Sequence, residues 1–311
     1  MPPQSPFPYI AVCVCTRQRP KMLSKLIDSF TRLSIPDNLS LSLEVVENDT
    51  QPTCRELVES YDSQDHKVNY HHESRLGIPF ARNHCIQIAQ QAKADYLAFV
   101  DDDEWFTESW LVNIWHYANR QPPGTVIQGS VRSTLPPGTP AHYLPFFQRK
   151  PIATGSTLHM CRTNNVLVPV TLFSEHNLRF DESRPFAGGT DSKLFRKAHA
   201  LGVPLIYCDE AVVNEDVPAE RLRLAWLSKR YFRIGLTMGE HIAFAGTLPK
   251  AIHTLKRSVA FLKYSLKSCL YLALLKKHKY LKSWLKGCQK LGEGLGPWGI
   301  KVDSYRKVQG E

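Results

Sequence analysis

Residues 96–105 read YLAFVDDDEW, in which the apolar run from Tyr96 to Val100 passes straight into Asp101, Asp102, Asp103 and Glu104. Adjacent carboxylates repel one another, and full ionisation is disfavoured unless a cation or hydrogen-bond donors answer them. An acidic run between polar loops would be a solvated turn. This one closes an uninterrupted apolar strand, and in open parallel sheets the strand ends are where ligands bind.

Strand and helix periods alternate on the N-terminal side of that run. Tyr9–Val14 reads as a strand, and KMLSKLIDSF after Pro20 places Met22, Leu23, Leu26, Ile27 and Phe30 at helical spacing. LSLEVVE predicts a second strand ending at Glu47, followed by a helix over PTCRELVESY with Pro52 in its first turn. VNYHHE predicts a third strand and PFARNHCIQIAQQAKA its helix. YLAFV is the fourth strand, and TESWLVNIWHYANR a fourth helix with Thr107 as N-cap.

Such units predict an α/β, Rossmann-like, mainly parallel sheet flanked by helices, because parallel neighbours need crossovers that lie on the sheet faces. The loop after the first strand, CTRQRP, has no glycine, so a GxGxxG dinucleotide site is excluded, and no Walker loop is present. From Val126 to Val170, short β segments and Pro/Gly turns suit an antiparallel edge or a substrate-binding lobe. GGTDSKLFRKAHALG predicts a loop feeding a helix, and Pro218 opens the amphipathic AERLRLAWLSKRYFRIG.

With 311 residues, 43% hydrophobic and 22% charged, the chain is a folded one, not a disordered one. Its net charge of +10 is local: Lys250 to Lys290 holds 11 Lys and Arg and no acid, leaving the body near neutral. That distribution argues against a nucleic-acid-binding domain and for a cationic surface element. Eight scattered cysteines form no CxxC pair, and MPPQSPFPYIAVCVC lacks the features of a secretion signal, so a cytosolic setting is expected.

In one direction along the chain occur VCVCTRQRP, VVENDT, ESRLGIPFARN, FVDDDE, RTNNVLV, FAGGTDSKLFRKA and NEDVPAERL. Over residues 8–235 this series resembles the family 2 glycosyltransferases of the GT-A fold, of the bacterial kind that extends exopolysaccharide or lipopolysaccharide chains. The resemblance implies a nucleotide-sugar-binding half (1–125) and an acceptor and catalytic-base half (126–240), and the charge run sets apart a basic helical, membrane-associated tail (241–311). Transfer from a nucleoside-diphosphate sugar loads negative charge onto the leaving diphosphate, and Mg²⁺ or Mn²⁺ held by carboxylates stabilises it.

By resemblance, Asp103 touches that metal, with Asp101 beside it and nearer the nucleoside, and Asp102 lines the nucleotide site. Asp191 is the implied general base, giving inversion at the anomeric carbon. The family more often has Glu-Asp where Thr190-Asp191 stands here, and Asp191 as a plain helix cap is the alternative. The nucleotide pocket draws on Thr16, Arg17, Arg19, Glu47, Asp49 and Arg82, although most relatives carry Asp at the position of Glu47, and Arg82 could equally be a helix-surface arginine. Arg230 and Arg233, three apart, could meet the diphosphate. Asn164 and Asn165 stand where relatives line a sugar, or form an ordinary turn. His71 and His72, being adjacent, point to opposite faces of a strand and make a poor metal pair. Trp105 and Trp110 are expected to pack.

In the tail, Lys263 and Lys267 interrupt the apolar residues, so no charge-free stretch approaches the ~20 residues that span a bilayer. Lys256, Lys263 and Lys267 share an arc of about 40°, which suits a helix lying in the membrane interface or packing on protein. The expectation is an inverting hexosyltransferase taking a UDP-sugar to a lipid-linked oligosaccharide or polysaccharide acceptor at the cytoplasmic membrane face. A nucleotidyltransferase and a non-catalytic sugar-nucleotide-binding scaffold are the rivals.

Overall fold

The computed structural model describes residues 7–61, 66–183, 185, 186, 188–240, 242 and 244–300. Positions 241, 243 and 301–311 of the tail segment lie outside the described residues.

The expected alternation forms. It runs β1 (Tyr9–Thr16), α1 (Pro20–Phe30), β2 (Ser40–Glu47), α2 (Arg55–Glu59), β3 (Lys67–His72), α3 (Ile78–Gln91) and β4 (Tyr96–Asp101). A three-residue strand β5 (Glu104–Phe106) follows, then α4 (Trp110–Ala118). Two starts differ from expectation. α2 begins at Arg55, since the Thr53 and Cys54 amides that precede it donate to the Glu47 carboxylate. α4 begins at Trp110, and the Thr107 hydroxyl donates to the Val212 carbonyl instead of capping it.

One eight-stranded sheet has the order β3-β2-β1-β4-β7-β6-β8-β5, with β6 at Val126–Thr134, β7 at Val166–Pro169 and β8 at Leu205–Asp216. β3, β2, β1 and β4 are parallel, as is the β6–β8 pair, whereas β7 opposes both β4 and β6 and β5 opposes β8. The sheet is therefore mixed, and its parallel half is the part legible as β/α units. The 126–170 region, expected as an antiparallel edge or a substrate-binding lobe, supplies the interior strands β7 and β6, and every residue of β7 is buried. The edges are β3 and β5.

Alternation along each central strand feeds two cores. Ile10, Val12 and Val14 of β1 join Leu43, Val45, Ala98 and Val100 under α1 and α4. Ala11 and Cys13 join Val46, Leu97 and Phe99 under α3 and α6 (Thr190–Ala200). Burial on both faces is why these strands read as unbroken apolar runs. All eight cysteines are free.

The described chain divides into two compact units, residues 7–134 with 149–216, and residues 135–148 with 217–300. The larger segment of the second unit begins at Val217. Pro218 precedes a short 3₁₀ turn, and the helix itself, α7, is Leu224–Glu240. α8 (Thr247–Ala273) and α9 (Lys277–Leu295) follow. α7 and α9 meet through glycine: a Cβ added at Gly235 would stand 2.1 Å from the Gln289 carbonyl oxygen, and one at Gly292 2.1 Å from that of Phe232. Gly239 and Gly296 extend the same seam. Among the described residues no helix is long and apolar enough to cross a membrane.

Candidate active site

β4 delivers the acidic run to the end of the sheet, where Asp101 is paired in register with Cys15 of β1. The turn that follows is shaped by Glu104, 2% exposed, whose Oε2 accepts the Asp101 amide proton at 2.9 Å. Burial pushes the Glu104 carboxyl well up, and the charges of Asp101 and Asp103 push it further against the opposing Asp101 amide and Arg149. So placed, Glu104 is a bracket for the turn.

Asp102 faces inward. It accepts from Thr16 Oγ1 at 2.9 Å and from Arg19 Nη1 at 2.6 Å. Burial nonetheless holds its carboxyl above the usual range, with Arg19 opposing and Asp103 reinforcing. The Arg19 Nε beside it is buried without a hydrogen-bond partner. Asp101 keeps 43% of its side chain exposed and has Arg82 Nη2 at 3.7 Å. Desolvation raises it to about 7, Arg82 works against that, and Asp103, Asp102 and Asp191 add repulsion. Asp103 is half-buried, its carbonyl accepting the Asp216 amide at 3.4 Å.

Asp191 belongs to the same electrostatic neighbourhood, since its charge is felt at Asp101. Arg82 makes the link: beside its approach to Asp101, its Nη1 donates to Thr190 Oγ1 at 3.4 Å. α6 starts at Thr190 after Gly189, whose φ of 88° lies in the left-handed region that glycine tolerates. Asp191 Oδ1 accepts the Ser192 amide at 2.8 Å, so it shields one helix-end amide while remaining half-buried at the site.

The sequence motifs contain residues whose part emerges only in three dimensions. Asn83, next to Arg82, accepts the Phe180 amide at 2.9 Å and donates to the Phe180 carbonyl at 3.0 Å and to Glu182 Oε1 at 2.7 Å. It thereby ties the segment leading to Asp191 onto α3. Gly77 allows the same segment to close in, because a Cβ there would stand 2.4 Å from that of Pro185. Asn48 secures the turn before α3, accepting the Gly77 amide and donating to the Glu73 and Arg75 carbonyls. Paired Asn side chains answering backbone groups on both edges are the signal, visible once the partner strand is known.

Other expected residues make contacts within the fold. Glu47, fully buried, accepts from the Thr53 and Cys54 amides, the Thr53 hydroxyl and, at 2.7 Å, the Tyr70 hydroxyl, leaving no exposed atom for a nucleobase. Asp49 accepts from Gln18 Nε2 at 2.6 Å and Arg17 Nε at 3.4 Å, and so shapes the β1–α1 loop. Asn165, also fully buried with φ of 61°, donates to the Ser130 and Ala211 carbonyls and accepts from Trp110 Nε1, a brace and not a sugar contact. Asn164 is half-buried, its carbonyl accepting from Gln128. His71 Nε2 meets Glu44 at 2.7 Å and His72 Nε2 the Asp49 carbonyl at 2.7 Å, separate partners as their alternation requires. Lys25 lies 4.6 Å over the Trp105 ring. Arg230 and Arg233 are carried by α7 in the second unit, where Arg230 covers Phe147 and Trp226.

Among the described residues no three His, Cys, Asp or Glu side chains are already gathered as a ligand set. The donor chemistry still fits a hard divalent cation: oxygen ligands only, with repulsion at Asp101 that one added positive charge would relieve.

A profile described as Glycosyl transferase family 2 matches residues 11–176. The succinoglycan biosynthesis protein ExoM of Rhizobium meliloti (strain 1021) is 32% identical over 244 residues, covering 76% of this chain and 75% of its own. The uncharacterized glycosyltransferase EpsJ of Bacillus subtilis (strain 168) is 26% identical over 257 residues, covering 77% and 72%. Among solved structures, the mannosyltransferase PcManGT of Pyrobaculum calidifontis, in complex with GDP-Man and Mn²⁺, superposes with a TM-score of 0.65 at 16% identity over 94% of this chain and 88% of its own. S. aureus TarS 1–349 with UDP-GlcNAc gives 0.53 at 14% identity over 72% and 66%. These two share the GT-A fold with the mixed sheet described above. The matched profile and the ExoM likeness make this chain a glycosyltransferase, a member of glycosyltransferase family 2.

Proposed function

We propose that the protein is an inverting glycosyltransferase of exopolysaccharide synthesis, moving a hexose from a UDP-sugar to a lipid-linked oligosaccharide at the cytoplasmic face of the membrane. The observation that carries the chemistry is Arg82, which reaches both Asp101 and Thr190 and so joins the acidic run to the start of α6. The ExoM name supports the polysaccharide assignment. PcManGT and TarS, bound to GDP-Man and UDP-GlcNAc, support a sugar-nucleotide donor.

Asp191 takes the proton of the acceptor hydroxyl. The alkoxide oxygen forms its bond to the anomeric carbon from the face opposite the diphosphate, whose C–O bond breaks with the electron pair leaving on oxygen. Configuration inverts. Asp103 and Asp101 are the residues to hold Mg²⁺ or Mn²⁺, which when bound supplies Lewis-acid stabilisation of the departing diphosphate. Thr16 and Arg19 fix Asp102 and with it the floor of the donor site. Arg82 orients Asp101 and the Asp191 helix together. In this reading Glu47 braces the loop after β2 through the Thr53 and Cys54 amides and Tyr70.

The test is a panel of UDP- and GDP-sugars with Mn²⁺ or Mg²⁺, read as released nucleoside diphosphate. Release that falls about 10³-fold in Asp191→Asn supports the assignment. Pyrophosphate as product, or full turnover in Asp191→Asn, overturns it.

A further inference from the structure

α8 has two unlike faces. One packs on α9: Phe261 and Tyr264 stand beside Gly287, Thr254 Oγ1 donates to the Gly294 carbonyl at 2.8 Å, and Arg257 pairs with Glu293 at 2.7 Å. Among the described residues the other face is uncovered. Leu248, Ile252, Leu255, Val259, Leu262 and Leu266 follow at alternating steps of four and three, with exposures from 46% at Ile252 to 73% at Leu266. At 1.5 Å and 100° per residue they form a straight stripe ~27 Å long inside an arc of about 80°. Lys256, Lys263 and Lys267 line one border of it, and residues 242–292 contain no Asp or Glu.

The same spacing would serve a seam between two copies of this helix. Such a seam needs carboxylates opposite the flanking lysines, and α8 and α9 supply none before Glu293, which is already held by Arg257 and Lys290. Charge therefore selects a partner that is apolar beneath and anionic on top, which is the surface of an acidic bilayer. We propose that α8 lies flat in the interface of an anionic membrane, its leucine stripe at the acyl boundary and Lys256, Lys263 and Lys267 among lipid phosphates. This deepens the proposed function, on which it rests for the presence of a membrane, by naming the surface and the lipid chemistry.

Flotation of the full chain with phosphatidylcholine vesicles, with and without phosphatidylglycerol, tests it. Wild type is expected to float with the mixed vesicles and to bind about tenfold less without phosphatidylglycerol. Leu255→Gln with Leu262→Gln lowers binding to mixed vesicles at least about tenfold, and Lys256→Gln with Lys263→Gln and Lys267→Gln removes only the phosphatidylglycerol-dependent part. All these positions are on the uncovered side, and an unchanged circular dichroism melt shows that the variants fold. Wild type left unbound, or binding untouched by the leucine substitutions, overturns the proposal. So does sedimentation that finds a wild-type dimer turned monomeric by them. If flotation behaves as expected but no sugar nucleotide is turned over, the proposed function falls and the membrane surface stands.

Discussion

Two loops at the ends of β2 and β4, the strands that flank β1, carry acids under opposite conditions. After β2, Glu47 and Asp49 are surrounded by donors. Burial alone would raise both, yet the Thr53 and Cys54 amides and Tyr70 hold Glu47 below its ordinary range, and the Thr50 amide, Gln18 and Arg17 do the same for Asp49. After β4, donors are too few for the charge, and Asp101, Asp102 and Glu104 are all pushed up. A carboxylate whose lone pairs are filled by its own fold is a structural part. One left short of positive charge is available to something that brings it.

The sharpest way to break that contrast is to exchange the phenotypes. Asp103→Asn is expected to lower diphosphate release about 100-fold or more while leaving the urea midpoint nearly unchanged, as steady-state rates and denaturation curves would show. Glu47→Ala should do the reverse. It strands two amides and a tyrosine hydroxyl in a buried site and costs about 2–3 kcal/mol in urea unfolding, with near-wild-type turnover of the folded fraction. A Glu47→Ala protein that is stable but inactive would erase the distinction.

Asn83 lies between these extremes, because it touches neither loop's carboxylates but anchors the segment before Asp191. Asn83→Ala is predicted to reduce kcat about tenfold with little change in the donor KM, since a misplaced base harms the reacting geometry more than donor binding. Equal losses in both would instead make it a donor contact. The smallest effect is in acid. Glu47 and Asp49 have depressed folded-state values, so their stabilisation is complete above the unfolded carboxylate range near pH ~4 and is lost as pH falls through the lower folded values. Urea midpoints should therefore drop below about pH 4 in wild type and drop less in Glu47→Gln.

The sheet's parallel half was legible because burial on both faces writes unbroken apolar runs, and the DDDE run was legible because it interrupts one. Glu47 was not. Its Tyr70 donor comes from the next strand, and nothing local distinguishes a filled carboxylate from a waiting one. Asn165 likewise reads as a turn residue, and only the arrival of Trp110, Ser130 and Ala211 makes it a brace. The interior place of β6 and β7 depends on pairings with strands far along the chain, whereas turn-rich composition reports only local conformation.

The glycine seam between α7 and α9 has a mechanical meaning. Side chains that meet can yield to a new neighbour by changing rotamer, but where carbonyl faces an absent Cβ the spacing is set by peptide atoms with no such freedom. The spacing of the two helices is consequently fixed along the seam, and any methyl placed at Gly235 or Gly292 must be answered by prying the pair apart.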